Sequence, residues 1–292
     1  APDSCYESSK LIGMNNTILY ALAVPLLSAS GGLAALNVFG KWSAPAGLNR
    51  ALVALALLVS GYLLGTLLFQ TDGMHFGFVL GLMCVAWLAS LVAFVESFFN
   101  RVPLLELIVF PLCAVVFLLP LWMGEDAAIR MAGDHLFQLH LLIALAAYSL
   151  LGIAAAHGIV MAFQEKALHQ PVASNQENRV LRERLLDQLP SLLTMESILF
   201  RQLWAGFVLL SLTLITGFLF SEEWSGSSWR FDHKTLFAII SWCSFAVLLG
   251  GRVVFGWRGK VALRWCLGSY AVLVLAYFGT QFVLEFILKR AV

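Results

Sequence analysis

Charged residues are scarce in this chain of 292 residues. Asp, Glu, Lys and Arg make up 12% of it, 60% is hydrophobic, and the mean hydropathy is +0.86. Soluble domains carry about 25% charged and roughly 45–50% apolar residues. This composition excludes a soluble enzyme and a disordered chain. The formal net charge of +1 leaves no electrostatic field that would attract a nucleic acid. We therefore expect an integral membrane protein that binds no nucleic acid.

Motifs for covalent or catalytic chemistry are also missing. None of the cysteines pairs in C-x-x-C spacing, which argues against a zinc knuckle and against covalent haem attachment. The chain has no metalloprotease motif and no phosphate-binding loop, and it offers no nucleophile–base pair, so we expect a protein that is not an enzyme. The cysteines are Cys5, Cys84, Cys113, Cys243 and Cys266.

The first residues differ from the rest of the chain. Residues 1–13 are polar, and no pattern of a cleavable signal precedes Thr17. We interpret residues 1–13 as a polar extension or tag, with Met14 as an alternative start.

Long apolar runs make up most of the remaining sequence. A bilayer core about 30 Å thick needs around 20 apolar residues per helix, and backbone groups in lipid must be satisfied within each helix. The runs therefore predict an all-α fold, a single polytopic membrane bundle of about eight transmembrane helices over residues 14–292. The predicted spans are 17–39, 51–69, 76–95, 107–123, 136–163, 202–220, 235–256 and 262–284.

Basic residues predict the orientation of these spans. Twelve Lys and Arg residues fall in the loops on one side, and six fall on the other. The side richer in basic residues is usually cytoplasmic. We therefore expect a bacterial inner-membrane protein with both termini on the extracytoplasmic side.

The longest predicted polar connection spans residues 164–201, on the cytoplasmic side. Within it, apolar residues recur at nearly helical spacing, with charged residues between them. This pattern predicts a short amphipathic helix at the membrane interface. A docking site for a cytoplasmic partner is the alternative. The apolar positions are Val180, Leu181, Leu185, Leu186 and Leu189.

Four of the six histidines fall near the extracytoplasmic face. His140 and His233 each begin a long span at the same predicted depth, and two imidazoles from different helices can ligate one haem iron. They are our candidate haem-iron ligands, although histidines at helix ends are also common without any ligand. His75 is a reserve candidate, and His135 is spaced poorly for ligation together with His140.

The other two histidines lie toward the cytoplasmic side. His169 falls in the polar connection and is expected to be solvated. His157 lies seventeen residues after His140, which is about 25 Å along a helix. Small residues surround it and permit close packing. We expect a neutral packed histidine, with an inner-leaflet haem or proton contact as the alternative.

The loop before the seventh span combines aromatic and charged residues. Such aromatics often form only an interfacial belt, but they could also form a flat apolar platform for a porphyrin. Nearby cations could pair with haem propionates. The candidate cofactor-binding residues of this loop are Trp224, Trp229, Arg230, Phe231, Asp232, His233 and Lys234.

Residues 229–235 read W-R-F-D-H-K-T, which resembles the tryptophan-rich motif W-x-W-D-P-K-E of cytochrome c assembly proteins. Trp229, Asp232 and Lys234 match that motif. Other segments resemble the CcsA/HemX-like branch and, within it, the YpjD-type inner-membrane proteins. The resemblance is best over residues 136–288. Those other segments are Leu139-His140 with Ala147-Tyr148, 189–196 (L-P-S-L-L-T-M-E), 256–259 (G-W-R-G) and 277–279 (Y-F-G).

The resemblance implies a membrane protein that handles haem in cytochrome c assembly or haem delivery. Carried over from the family, the two haem-binding histidines would be His140 and His233. The implied partners are haem, membrane lipid and cytochrome c assembly components. Two alternatives stay open, namely a regulator that acts through a cytoplasmic partner and a transporter component. The absence of charged residues at the centre of any span weighs against the transporter.

Overall fold

The computed structural model describes residues 2–39, 45–70, 73–123, 129–131, 135–169, 183, 185–225 and 233–276. Long helices make up most of these residues, which confirms the predicted all-α class. They are α1 (Pro2–Phe39), α2 (Ala46–Leu68), α3 (Phe78–Glu96), α4 (Pro103–Met123), α5 (His135–His169), α6 (Leu192–Ser225), α7 (His233–Phe255) and α8 (Gly259–Val274).

Within the described ranges, seven helices are long and apolar enough to cross a membrane. They correspond to the first seven predicted spans, because apolar side chains and internally bonded backbone suit lipid. The eighth predicted span, 262–284, coincides with α8 over its first part. Its residues from 277 onward lie outside the described residues.

The connection predicted over 164–201 is shorter than expected. Helix α5 continues to His169, and α6 begins at Leu192. Ser191 caps α6, since its Oγ accepts a hydrogen bond from the Thr194 backbone N at 3.3 Å. Of the predicted amphipathic helix, residues 185–187 are helical, whereas 180–182 and 184 lie outside the described residues.

Three short strands, which the sequence analysis did not predict, form a small antiparallel sheet. Strands β1 (Phe69–Gln70) and β2 (Gly73–Phe76) belong to the α2–α3 connection, and β3 (Ile129–Met131) belongs to the α4–α5 connection. Since β2 pairs with β3, these two connections lie at the same end of their helices. That agrees with the alternation of sides on which the predicted topology depends.

The chain divides into two compact units. Residues 1–94 and 106–132 form unit 1. Within it, the Trp87 Nε1 donates a hydrogen bond to the Leu57 backbone O at 3.0 Å, which joins α3 to α2. The buried Asn49 amide donates to Glu106 Oε2 at 2.8 Å, which joins α2 to α4.

Residues 95–105 and 133–292 form unit 2. Helix α5 packs against α6 and α8, and α7 packs against the same two helices. These pairings give the four helices the ring order α5–α6–α7–α8, with α5 and α7 at opposite corners. Polar side chains also join neighbouring helices of the ring. For example, Tyr148 of α5 donates a hydrogen bond to the Leu273 backbone O of α8 at 3.1 Å.

Candidate functional site

His140 lies in the second turn of α5 and points toward α6. Its Nδ1 is 2.7 Å from Thr216 Oγ1. The Thr216 hydroxyl in turn donates to the Leu212 backbone O, one turn earlier in α6, at 2.8 Å. A ring whose Nδ1 is engaged in this way is held in a defined orientation, as the histidine ligands of metals usually are.

Two further residues confine the His140 ring. A Cβ atom at Gly217 would lie 3.4 Å from His140 Cε1, an ordinary van der Waals distance, so the imidazole lies near the surface of α6 at this position. The Phe137 ring packs on the N-terminal side, with its centroid 6.2 Å from that of His140. His140 is partly buried in this seat. The sequence analysis missed Thr216, Gly217 and Phe137.

Most of the other predicted haem-site residues cannot be compared with His140. Trp229, Arg230, Phe231 and Asp232 lie outside the described residues. The backbones of Trp224, His233 and Lys234 are helical, with His233 beginning α7, but their side chains lie outside the described residues as well. The predicted pairing of His140 with His233 therefore stays a prediction.

The ring order of unit 2 bears on that pairing. Helices α5 and α7 occupy opposite corners, each packed against α6 and α8. A space shared by His140 and His233 would therefore lie across the ring.

The remaining described histidines differ in their surroundings. His75 lies in β2, where its Cα partner in the sheet is Arg130. His169 is exposed, and its Nδ1 lies 2.8 Å from the Glu165 backbone O of its own helix. His135 begins α5, but its side chain lies outside the described residues.

His157 is completely buried and contacts a buried carboxylate. Its Nε2 lies 2.9 Å from Oε2 of Glu96, the last residue of α3. Gln202 of α6 donates its Nε2 to the same oxygen at 3.0 Å. The sequence predicted burial and small neighbours for His157, but not this polar cluster. Spacing along the chain could not reveal it, because the three residues come from three separate helices.

A second polar cluster joins α6 to the α7–α8 turn. Glu196 is largely buried and accepts from Arg252 and from Arg258, whose Nε is 2.9 Å away. Gly256, with φ of 67°, makes the sharp turn that brings Arg258 to this position. The segments 189–196 and 256–259, which carried part of the family resemblance, therefore meet in space through Glu196 and Arg258.

A cavity of about 230 Å³ lies beside this second cluster, among α5, α6 and α8. Its walls are mainly apolar, with Met161, Leu199 and Leu263 among them. Its volume is below the range of about 300–1,000 Å³ that is usual for small-molecule sites. We therefore do not assign a haem site to it.

The fold and these clusters define the general class of the protein. It is a polytopic helical membrane protein with an oriented imidazole at the end of a span. The family model described as "Cytochrome C assembly protein" matches residues 48–288. The chain therefore belongs to the cytochrome c assembly protein family. The family model matches from residue 48 onward. The motifs recognised in the sequence covered only residues 136–288.

Individual relatives agree with this assignment. The chain is 34% identical over 89 residues to the cytochrome c biogenesis protein CcsA of Prochlorococcus marinus, covering 30% of this chain and 28% of the relative. With CcsA of Heterosigma akashiwo it shares 32% identity over 111 residues, 37% of this chain and 34% of the relative. The chain thus aligns with only about a third of these relatives' length.

A third relative is covered more completely. The inner membrane protein YpjD of Escherichia coli is 29% identical over 189 residues, which are 64% of this chain and 67% of the relative. YpjD is named as an inner membrane protein, and this agrees with the membrane class that composition and helix length indicate for the present chain.

Proposed function

We propose that this protein binds haem in the bacterial inner membrane and hands it on during cytochrome c assembly, acting by binding rather than by catalysis. Family membership supports a role in cytochrome c biogenesis. The observation that carries the haem proposal is the seat of His140, whose Nδ1 is 2.7 Å from Thr216 Oγ1. When bound, haem would supply an iron that accepts axial imidazole ligands.

The residues of the seat fit such a ligand. A metal-binding histidine generally gives its other ring N–H to a fixed acceptor, which orients the ring. Thr216 is suitably placed to be that acceptor, and Gly217 leaves room for the ring. His140 is only partly buried, so the imidazole remains accessible at the end of its span. In this proposal His233, at the start of α7, would be the second histidine that holds haem iron.

The loop before α7 would complete the site. Trp224, Trp229 and Phe231 would provide an apolar surface for the porphyrin, and Arg230 or Lys234 would pair with its propionates. Asp232 belongs to the part of the tryptophan-rich motif that this chain retains. Support for these roles comes from the sequence motif W-R-F-D-H-K-T alone. The site would face the extracytoplasmic side, as the distribution of basic residues predicts.

The experiment is an absorption spectrum of the detergent-purified protein, oxidised and reduced. We expect a Soret band in the wild type that His140→Ala or His233→Ala shifts or abolishes. His169→Ala is the matched control, since His169 is exposed and its Nδ1 lies near the Glu165 backbone O of its own helix. Equal haem content in all three variants, at normal membrane levels, would refute the assigned ligands. A wild type that binds no haem when haem is supplied would refute the proposed function.

A further inference from the structure

The Thr216 hydroxyl lies between one imidazole nitrogen and two backbone carbonyls. Its Oγ1 is 2.7 Å from His140 Nδ1, 2.8 Å from the Leu212 O and 3.1 Å from the Thr213 O. A hydroxyl has one proton to donate and two lone pairs with which to accept. The carbonyl oxygens can only accept, so the Thr216 proton is directed to them. The remaining contact then requires His140 Nδ1 to be the donor.

From this geometry we infer that Thr216 is a positioning residue that holds His140 in the Nδ1–H tautomer, with the lone pair on Nε2. The consequence of this tautomer rests on the proposed function. It is that His140 would bind haem iron through Nε2. Thr216 itself touches neither the iron nor the porphyrin in this scheme. It acts through the ring, because the hydrogen bond at Nδ1 keeps the proton on that nitrogen.

The Phe137 ring helps to keep this hydrogen bond in place, since its centroid lies 6.2 Å from that of His140. Rotation that moved Nδ1 away from Thr216 would have to displace this contact. Thr216 therefore specifies the tautomer, and Phe137 confines the ring. Neither residue was identified by the sequence motifs.

The first test uses the haem-free protein, so that its result does not depend on the proposed function. Histidine labelled with ¹⁵N is incorporated, and NMR identifies which His140 nitrogen carries the proton, with His140→Gln used to assign the signals. We expect Nδ1–H in the wild type and in Thr216→Ser, and loss of that preference in Thr216→Val. A wild-type ring protonated at Nε2 and not at Nδ1 would overturn the inference.

The second test is a titration with haem, followed at the Soret band. Loss of a group that orients a metal ligand typically weakens metal binding by about 10–100-fold, and we expect this for Thr216→Val. Thr216→Ser should restore binding. Thr213→Val is the matched control, because the Thr213 hydroxyl donates to Leu209 O of its own helix at 2.9 Å, and it should bind haem like the wild type.

The two proposals fail in different ways. If Thr216→Val binds haem as tightly as the wild type while His140→Ala does not, the positioning role is overturned and the proposed function stands. If the wild type shows the Nδ1–H tautomer but takes up no haem, the proposed function is overturned and the ligand-positioning role with it. Normal membrane levels of Thr216→Ser and Thr213→Val would show that changes in this part of α6 leave folding intact.

Discussion

His157 Nε2 lies 2.9 Å from Glu96 Oε2, with the His157 side chain 0% and the Glu96 side chain 6% exposed. Through Gln202, which donates to the same carboxylate oxygen, this contact joins the end of α3 to α5 and α6. A buried polar group needs a partner, since transfer from water to an apolar interior without one is costly. The cluster therefore ties Glu96, which belongs to unit 2, to α5 and α6 through one side chain.

Removal of His157 should consequently destabilise the protein. Leaving a buried hydrogen-bonding group without one of its partners typically costs about 1–3 kcal/mol, and we expect a loss of this size in the free energy of unfolding of His157→Ala. Thermal or detergent-induced unfolding of the purified protein measures it. His169→Ala controls for a histidine at an exposed position. Equal stability of the two variants would show that the Glu96 contact contributes nothing.

The same cluster should behave as one unit in a double-mutant cycle. Residues that share a hydrogen-bond network usually show coupling energies of about 0.5–3 kcal/mol. Glu96→Gln combined with His157→Ala should therefore destabilise less than the two single changes added together, because each single change already removes the contact between these two side chains. Additive unfolding free energies would contradict the direct contact.

Close packing of α5 against α6 predicts a strong effect of one added methyl group. A Cβ atom at Gly206 would lie 2.6 Å from Leu151 Cδ2, and Leu151 is fully buried. Overpacking of this kind typically costs about 1–3 kcal/mol, so Gly206→Ala should lower the unfolding temperature. The matched control is Gly250→Ala in α7, where a Cβ atom would meet nothing within 4 Å.

There the added methyl group should be neutral or slightly stabilising, since alanine favours a helix over glycine by about 1 kcal/mol. Equal effects at positions 206 and 250 would mean that α5 and α6 can separate without loss. That outcome would also weaken the description of the His140 seat, which lies between the same two helices.

The Glu196 cluster predicts unequal effects for its two arginines. The Arg252 side chain is 25% exposed and that of Arg258 is 58% exposed. Glu196→Gln should lower the free energy of unfolding by about 1–3 kcal/mol, because it removes the negative charge that pairs with the two arginines and weakens their hydrogen bonds. Arg252→Gln should destabilise more than Arg258→Gln, since exposed ion pairs contribute only about 0–1 kcal/mol.

Lys260→Gln is the control for this series, because Lys260 is 73% exposed and lies 3.6 Å from Glu165. Unfolding measurements on the four variants give the ranking. An order in which Arg258→Gln or Lys260→Gln is the most harmful would contradict the role of Glu196 as the buried centre of the cluster.

The predicted orientation can be tested with topology reporters. Fusions at Asn175 and at Gly226 should report opposite sides of the membrane, with Asn175 cytoplasmic, because the loops on that side hold twelve of the basic residues. Pairing of β2 with β3 already places the α2–α3 and α4–α5 connections at one end. Reporters on the same side would refute the alternation of spans and remove the argument for a common histidine face.

Hydropathy predicted most of the helices because lipid imposes a simple requirement on the chain. It was least accurate around residue 200, where charged residues suggested a loop. Glu196 belongs to α6 nevertheless, and Ser191 caps that helix locally. The burial of Glu196 depends on arginines more than fifty positions away, which no local pattern contains.

The candidate site was predictable to a lesser extent. His140 was identified because four of the six histidines fall near one predicted membrane face and because its surroundings resemble the family. Thr216 gave no comparable signal, since a threonine in an apolar helix often bonds only to its own backbone. The match to the His140 ring requires α5 and α6 to pack at one register, and 76 residues separate the two side chains.

The sequence by itself determined the membrane class, the approximate spans and the family, because each helix must satisfy its own backbone in lipid and the family motifs are local. Only the tertiary structure decided the division into two units, the ring order α5–α6–α7–α8 and the partners of His140, His157 and Glu196. These contacts depend on which helix faces pack together. The pairing of helix faces depends on the fit between side chains that are far apart in the sequence. Hydropathy does not predict that fit.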